Sequence, residues 1–334
     1  MSRWPPPPLR LSPGVAFDPP FVLAPMEGVT HRVFRDLILD LGGPGAAWTE
    51  FLRVSQVALA PRAIARELGP VRPGAPVGVQ LMGTEPELVA ASAAAAVEAG
   101  APMIDLNFGC PAPTVFKKCA GSALLDFPGR VEALVGAAVR AASPVPVTAK
   151  VRLGTVDASR LPEVLAAVER AGAAMVTVHA RTKADGYAHP ARWEELARAR
   201  GLTRLPMLGN GDVLEPADAR RMIETTGVDG VMIGRGALRD PWVFLRLARE
   251  RAGLPPPEVG PDEVLALHAR YRDAMLARAG SSTHGVLGQL KQLWRRLAVG
   301  FALDEAARTR LLRAGSLAEL DRLLLELRSA SLAA

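Results

Sequence analysis

Eight short apolar runs, each followed by a stretch with helical spacing, constrain what this chain can fold into more than anything else in it. The runs are Phe21–Ala24, Ala46–Glu50, Val77–Leu81, Met103–Asn107, Val145–Val151, Met175–His179, Leu205–Asn210 and Val228–Ile233. They are rich in β-branched residues and alternate with stretches such as Glu85–Ala99 and Pro162–Ala171. Such repetition predicts successive βα units with a parallel sheet. Eight units over about 240 residues predict a (β/α)8 TIM barrel before an open doubly wound sheet. Gly100, Gly172 and Gly227 stand where helix C-caps lead into the next strand.

Both flanks depart from this rhythm. Residues 1–20 carry seven prolines and almost no apolar period, which predicts a proline-rich arm, mobile or PPII-like. The barrel is assigned to residues 21–253. Beyond Gly253, Pro255–Pro257 and Pro261 interrupt the chain, and only helical spacing follows. Asp262–Ala279, His284–Phe301, Asp304–Ala314 and Leu317–Ala330 predict an all-helical bundle over residues 254–334. In the second of these, Leu290, Leu293, Leu297 and Phe301 make an apolar stripe, while Lys291 and Arg295 share another face. No acidic residue lies between Asp273 and Asp304, yet Arg278, Lys291, Arg295 and Arg296 do. Charge alone reads this as a solvated helix face or as a surface for a polyanion.

Composition narrows the class. The 334 residues are 49% apolar and 22% charged, which excludes general disorder. No apolar run approaches the ~18–20 residues of a membrane span. Pro5–Pro8 stand where a secretory signal needs an apolar core, and two cysteines cannot build a disulfide framework in a chain this long. These features predict a cytoplasmic protein with no membrane partner. The net charge of +6 permits nucleic-acid binding without showing it.

Barrels of this kind place their chemistry at the C-terminal ends of the strands. The eight ends here are Met26-Glu27, Thr49-Glu50, Gln80, Asn107 with Cys110, Lys150 with Arg152, His179 with Arg181, Asn210-Gly211-Asp212 and Gly234-Arg235-Gly236. Any one could be a satisfied structural residue; all eight together predict one polar mouth. Gly211 and Gly234 allow backbone N–H groups to approach an anion, and Arg235 adds charge. Lys150, inside the barrel, must pair with a carboxylate, stabilise an anionic cofactor or substrate, or form a Schiff base. Cys110 sits in Asn-Phe-Gly-Cys-Pro. A thiol near its ordinary pKa of ~8.5 is mostly protonated at neutral pH, so it serves as an acid as well as a nucleophile. A buried inert cysteine is the plain alternative. Cys119, in Lys117-Lys118-Cys119-Ala120-Gly121, reads as an incidental thiol, and neither cysteine has metal-ligand spacing to a His or a third Cys.

Ala24–Gly28, Asp105–Pro111, Lys150–Arg152, His179–Thr182, Asn210–Asp212 and Gly234–Ala237 together resemble the tRNA-dihydrouridine synthases, from Phe21 to about Leu325. Thr49–Val54 and Leu290–Trp294 are most similar to the bacterial C-type subgroup, whose target is uridine 16 of the tRNA D loop. The resemblance implies FMN in the barrel, NADPH as electron donor, tRNA held by the C-terminal helices, and no stable protein partner. It implies hydride transfer to C6 of a flipped-out uracil and protonation of C5 by a cysteine, matched here by Cys110. Pro25, Met26, Glu27, Gln80, Lys150, His179, Asn210, Gly211, Asp212, Gly234 and Arg235 match flavin contacts. Glu50, Asn107, Arg181 and Tyr187 match positions near the substrate uridine, and Lys291, Arg295 and Arg296 match the tRNA-facing helix. Lys150 would then face the negative charge at N1 of reduced flavin.

The chain departs from the family pattern at Ala112, where a small polar residue is usual, over Phe116–Gly121, where a glycine-rich run is common, and at Asp212, where the C-type pattern has Glu. Other readings are a small-molecule FMN oxidoreductase of the dihydroorotate dehydrogenase type, a Schiff-base aldolase on Lys150, and a non-catalytic tRNA chaperone. Gly109 before Cys110 and the C-terminal helices oppose the first of these.

Overall fold

Eight parallel strands close on themselves: β1 (Phe21–Leu23), β2 (Ala46–Trp48), β3 (Val77–Met82), β4 (Ile104–Phe108), β5 (Val147–Arg152), β6 (Met175–His179), β7 (Met207–Asn210) and β8 (Gly230–Ile233). Each pairs with the next, as in Val22 with Ala46 and Lys150 with Thr177, and Val231 of β8 pairs back with Phe21 of β1. The two-residue strand Leu52–Arg53 adds to the upper half of β3. This computed structural model describes residues 4–72, 74–116, 119–278 and 280–333, so Lys117 and Lys118 of the loop noted above lie outside the described residues.

Period-two alternation divides the strands between two cores. Phe21 and Leu23 of β1 point out toward the helices, while Val22 points in, with Ala46, Trp48, Met103, Met175, Leu208 and Met232. Gly78 makes room for the largest of these: a Cβ there would lie 2.9 Å from the Trp48 ring.

Where the sequence predicts a mobile or PPII-like arm, residues 9–17 form packed β-structure. Leu9–Ser12 and Val15–Phe17 form an antiparallel hairpin, and Leu9, Val15 and Phe17 are buried against the inward residues. Phe17 meets the edge of Trp48 at 5.6 Å between ring centroids, so the hairpin stoppers the barrel at the end opposite the strand C-termini. Three apolar residues that find a ready-made apolar floor outweigh the local proline content.

The carboxyl-terminal segment forms helices Pro261–Leu276, Thr283–Arg296, Glu305–Arg313 and Leu317–Ala333. The second stops at Arg296 and does not run on to Phe301. Gly300, at φ +76°, turns the chain so closely past the first helix that a Cβ would overlap Val264. Leu297 and Phe301 still reach the bundle core, but from an irregular segment. Ala298 donates its N–H to Arg239 O at 2.9 Å and Tyr271 hydrogen-bonds His31 at 3.1 Å, which ties the bundle to the barrel.

The bundle is pinned by one buried polar chain. Trp294 Nε1 donates to His268 Nδ1 at 3.0 Å, and indole has no acceptor. His268 therefore carries its proton on Nε2, which donates to Asp321 at 2.9 Å. Burial lowers the His268 pKa, in keeping with a neutral ring. His268→Ala strands the indole N–H and leaves a cavity, so we expect a loss of about 2–4 kcal/mol, read as a lower urea midpoint for Trp fluorescence.

Candidate functional site

The strand C-termini surround a cavity of about 440 Å³. Pro25, Met26, Glu27, Asn107, Cys110, Lys150, His179, Tyr187, Asn210, Gly211, Asp212, Gly234, Arg235 and Arg296 all line it. Gln80, Glu50, Arg181, Lys291 and Arg295 do not.

Those five have other places. The Glu50 carboxylate accepts the Val29 N–H at 3.0 Å, which fixes the turn after β1. Gln80 is fully buried, its amide spanning Asp105 and Asn107. Arg181 spends its guanidinium on His189 O and on Asp212. Lys291 and Arg295 lie on helix Thr283–Arg296 outside the cavity, and only Arg296, at its last turn, reaches the wall.

One side of the cavity is strongly cationic. Burial first, and then Lys150, Arg152, Arg181 and Arg235 around it, hold His179 well below the usual imidazole range, so the ring is neutral. Burial and the neighbouring Arg152 pull Lys150 down to about 8, and Asp105 offsets this only in part. The Lys150 ammonium forms no ion pair among the described residues. A cation buried in a cavity wall with no carboxylate in ion-pair contact leaves a place for an anion.

The anion cradle is backbone. Asn210 Nδ2 donates to Met232 O at 2.8 Å and locks the end of β7 to β8. Gly211 follows at φ +124°, where a Cβ would lie 2.9 Å from Ala191 Cβ and 3.2 Å from the His179 ring. Asp212, at φ +54°, is held in this sparsely populated region by three donors: Arg181, Arg235 at 2.8 Å and the Ala191 N–H at 2.7 Å. Gly234 then opens the short helix Arg235–Arg239 with no side-chain cap. At that position a Cβ would crowd Met26 Sδ at 3.1 Å.

The other side carries the thiol. The Asn107 side chain accepts the N–H groups of Gly109 (2.9 Å) and Cys110 (3.0 Å), and Ser122 Oγ donates to Cys110 O at 2.9 Å. Burial pushes the Cys110 thiol up, against an opposing hydrogen bond from the Ala112 backbone, so it stays protonated at neutral pH. Cys119 is exposed and lies outside the cavity.

The sequence reading named Arg152 at a strand end without a task and Tyr187 near the substrate uridine; what it could not give is what each side chain meets. Arg152 donates to Gly109 O at 2.7 Å and to Thr182 O at 3.0 Å, which straps the thiol loop to the loop after β6. Tyr187, 58% exposed at the mouth, has the guanidiniums of Arg235, Arg152 and Arg181 at 4.7, 5.6 and 5.9 Å from its ring centroid. It is a preset aromatic surface backed by cations.

Among solved structures, the fold is similar to that of morphinone reductase in complex with tetrahydroNAD (TM-score 0.54, 13% identity, 77% of this chain and 93% of that one). It is similar also to histamine dehydrogenase from Rhizobium sp. 4-9 (TM-score 0.58, 15% identity, 74% of this chain and 48% of that one). At such identities the likeness speaks for the barrel alone. Sequence relatives are nearer. A tRNA-dihydrouridine(16) synthase of Cupriavidus necator is 40% identical over 289 residues, covering 83% of this chain and 89% of the relative. One of Aquipseudomonas alcaligenes is 41% identical over 245 residues, covering 71% and 78%. The family profile described as Dihydrouridine synthase (Dus) matches residues 22–309, and with this match and these relatives the chain belongs to the dihydrouridine synthase family.

Proposed function

We propose that this chain is a tRNA-dihydrouridine synthase that binds FMN, takes electrons from NADPH and reduces uridine 16 of the D loop. The observation that carries the reading is a buried, protonated thiol sharing one cavity with an unpaired ammonium and a glycine-lined anion cradle. The named relatives point to the same reaction and the same nucleotide.

The residues present fit an FMN. The cradle of Gly211 and Gly234, which side chains would fill, suits a phosphate, with Arg235 as its cation. Lys150 suits the electron-rich side of the ring system, and Pro25, Met26 and Asn210 suit its faces and edges. When bound, the flavin supplies a hydride to C6 of the uracil. Everything else is done by the chain. Cys110 Sγ holds the proton that C5 needs, and the loop bonds from Asn107 and Ser122 aim it into the cavity. Tyr187 offers a stacking face to the extruded base, and its cationic backing suits the nucleotide's phosphate. Arg296 at the rim, with Lys291 and Arg295 beyond it, continues the positive surface toward the rest of the RNA. No helix among the described residues is long and apolar enough to cross a membrane, and a tRNA substrate suits work in the cytoplasm.

Dihydrouridine mapping in tRNA from cells with and without the protein tests this reading. Loss of the modification at position 16 alone is expected. Loss elsewhere would reassign the target, and no loss would refute the activity.

Lys150→Met is expected to slow flavin reduction by NADPH, or to weaken FMN retention, by on the order of 10²-fold, because the anionic reduced ring would lose the buried ammonium in the cavity wall. Stopped-flow traces at known FMN occupancy check it. An unchanged rate at full occupancy would contradict the role.

A further inference from the structure

Below the cavity floor, one row of side chains joins the barrel interior to the thiol loop. Thr148 Oγ1 donates to Asp105 Oδ1 at 2.6 Å, and Gln80 Nε2 donates to Asp105 Oδ2 at 2.7 Å. Asn107 Nδ2 donates to Gln80 Oε1 at 2.8 Å, and Asn107 Oδ1 accepts the N–H groups of Gly109 and Cys110. Asp105, Gln80 and Thr148 are at most 1% exposed, so water cannot substitute for a missing partner.

The direction of this row follows from chemistry. A carboxylate only accepts, so Gln80 must turn its NH2 toward Asp105. Its carbonyl then faces Asn107, which must answer with its own NH2. Only the Asn107 carbonyl is left for the loop, and it captures the two N–H groups that set where Cys110 points. Reversing either amide would place two donors or two acceptors face to face in a dry site, at a cost of ~1–3 kcal/mol for each unsatisfied group. Burial raises the Asp105 pKa to about 6, with Thr148, Gln80 and Lys150 opposing the rise, so the carboxylate is ionised at neutral pH.

We infer that Asp105 is a positioning residue for the thiol: acting through Gln80 and Asn107, it fixes the orientation of the loop that carries Cys110. This rests on the role given to Cys110 above and assigns to Asp105 and Gln80 a task distinct from contact with the flavin. Asparagine at 105 can keep the row intact. Its Oδ1 accepts from Gln80 and its NH2 donates to Thr148, whose hydroxyl turns to the Ile104 carbonyl it already approaches at 3.4 Å. Leucine cannot.

The test uses full-length, flavin-loaded protein in a Cys119→Ser background, so that Cys110 is the only thiol. Two readouts are taken: the rate of Cys110 alkylation by iodoacetamide, and the single-turnover reoxidation of reduced flavin by saturating tRNA. Asp105→Leu is expected to speed alkylation at least fivefold and to slow reoxidation at least tenfold more than it changes reduction by NADPH. Asp105→Asn is expected to stay within about threefold of the parent on both. If Asp105→Leu does not fold, the shape-matched Gln80→Met cuts the row one link on, and alkylation alone is read. Parent-like alkylation in Asp105→Leu or Gln80→Met overturns the inference, as does an Asp105→Asn as impaired as Asp105→Leu. If the parent itself fails to turn over tRNA, the activity falls, while the alkylation rates still decide the positioning role.

Discussion

Cys110→Ala is expected to lose dihydrouridine formation by 10²–10⁴-fold, the usual worth of a positioned general acid, while NADPH still bleaches the flavin at the parent rate. The thiol is buried and pushed above its ordinary pKa, so at neutral pH it holds its proton until the neighbouring carbon demands it. Alanine keeps the loop bonds, because these run through the backbone of residue 110 and not its side chain. The defect should therefore fall on the step after flavin reduction. Mass-spectrometric counting of dihydrouridine, beside flavin absorbance under anaerobic NADPH, separates the two half-reactions. Full product formation by the variant would show another acid at work. Cys119→Ala, altering an exposed thiol outside the cavity, should retain most activity. The same thiol predicts a pH dependence for the tRNA half-reaction: the proton donor persists across neutrality and is lost as pH rises through its raised pKa, whereas the Lys150 ammonium, lowered to about 8, is lost first and slows flavin reduction.

Replacing Lys291, Arg295 and Arg296 together with glutamine should raise the KM for tRNA and flatten its salt dependence by up to about three units of slope, since each lost phosphate contact removes about one. None of the three forms an ion pair among the described residues, so their charge is available to a polyanion and its removal breaks no internal bond. Their helix is held by Leu290, Leu293 and Trp294 on its buried side, so it should survive the change. Flavin reduction should be untouched, because Arg296 reaches only the rim. A tRNA affinity series across salt for parent and variant decides the matter: superimposable lines would mean that the charges merely solvate a helix.

The barrel was legible in the sequence because each strand announces itself by its own apolar run. Met175–His179 is recovered to the residue, and the other strands differ by a few positions at their ends. What periodicity cannot convey is depth. Gln80 and Lys150 both stand toward the C-terminal ends of inward-facing strands, yet one is fully enclosed beneath the cavity floor and the other opens into it. Nor does a motif say which of two arginines is free: Arg181 and Arg235 both pair with Asp212, but only Arg235 reaches the cavity wall. The hairpin was missed for a different reason. Its alternation of Leu9, Val15 and Phe17 is too short to register against seven prolines, although Pro13-Gly14 is an ordinary turn signal.

That hairpin has a consequence for how the protein is made. Its docking floor includes Leu208 and Met232, on the last two strands, so a segment translated before the barrel cannot find its seat until nearly the whole barrel has followed it. At about 5–20 residues per second, Leu9, Val15 and Phe17 wait on the order of ten seconds or more in the open. During that interval an amino-terminal fusion, or a chaperone that grips short apolar segments, competes with the barrel for the same three side chains. Yield from the cell should therefore respond to changes in residues 4–17 far more than turnover by the finished enzyme does.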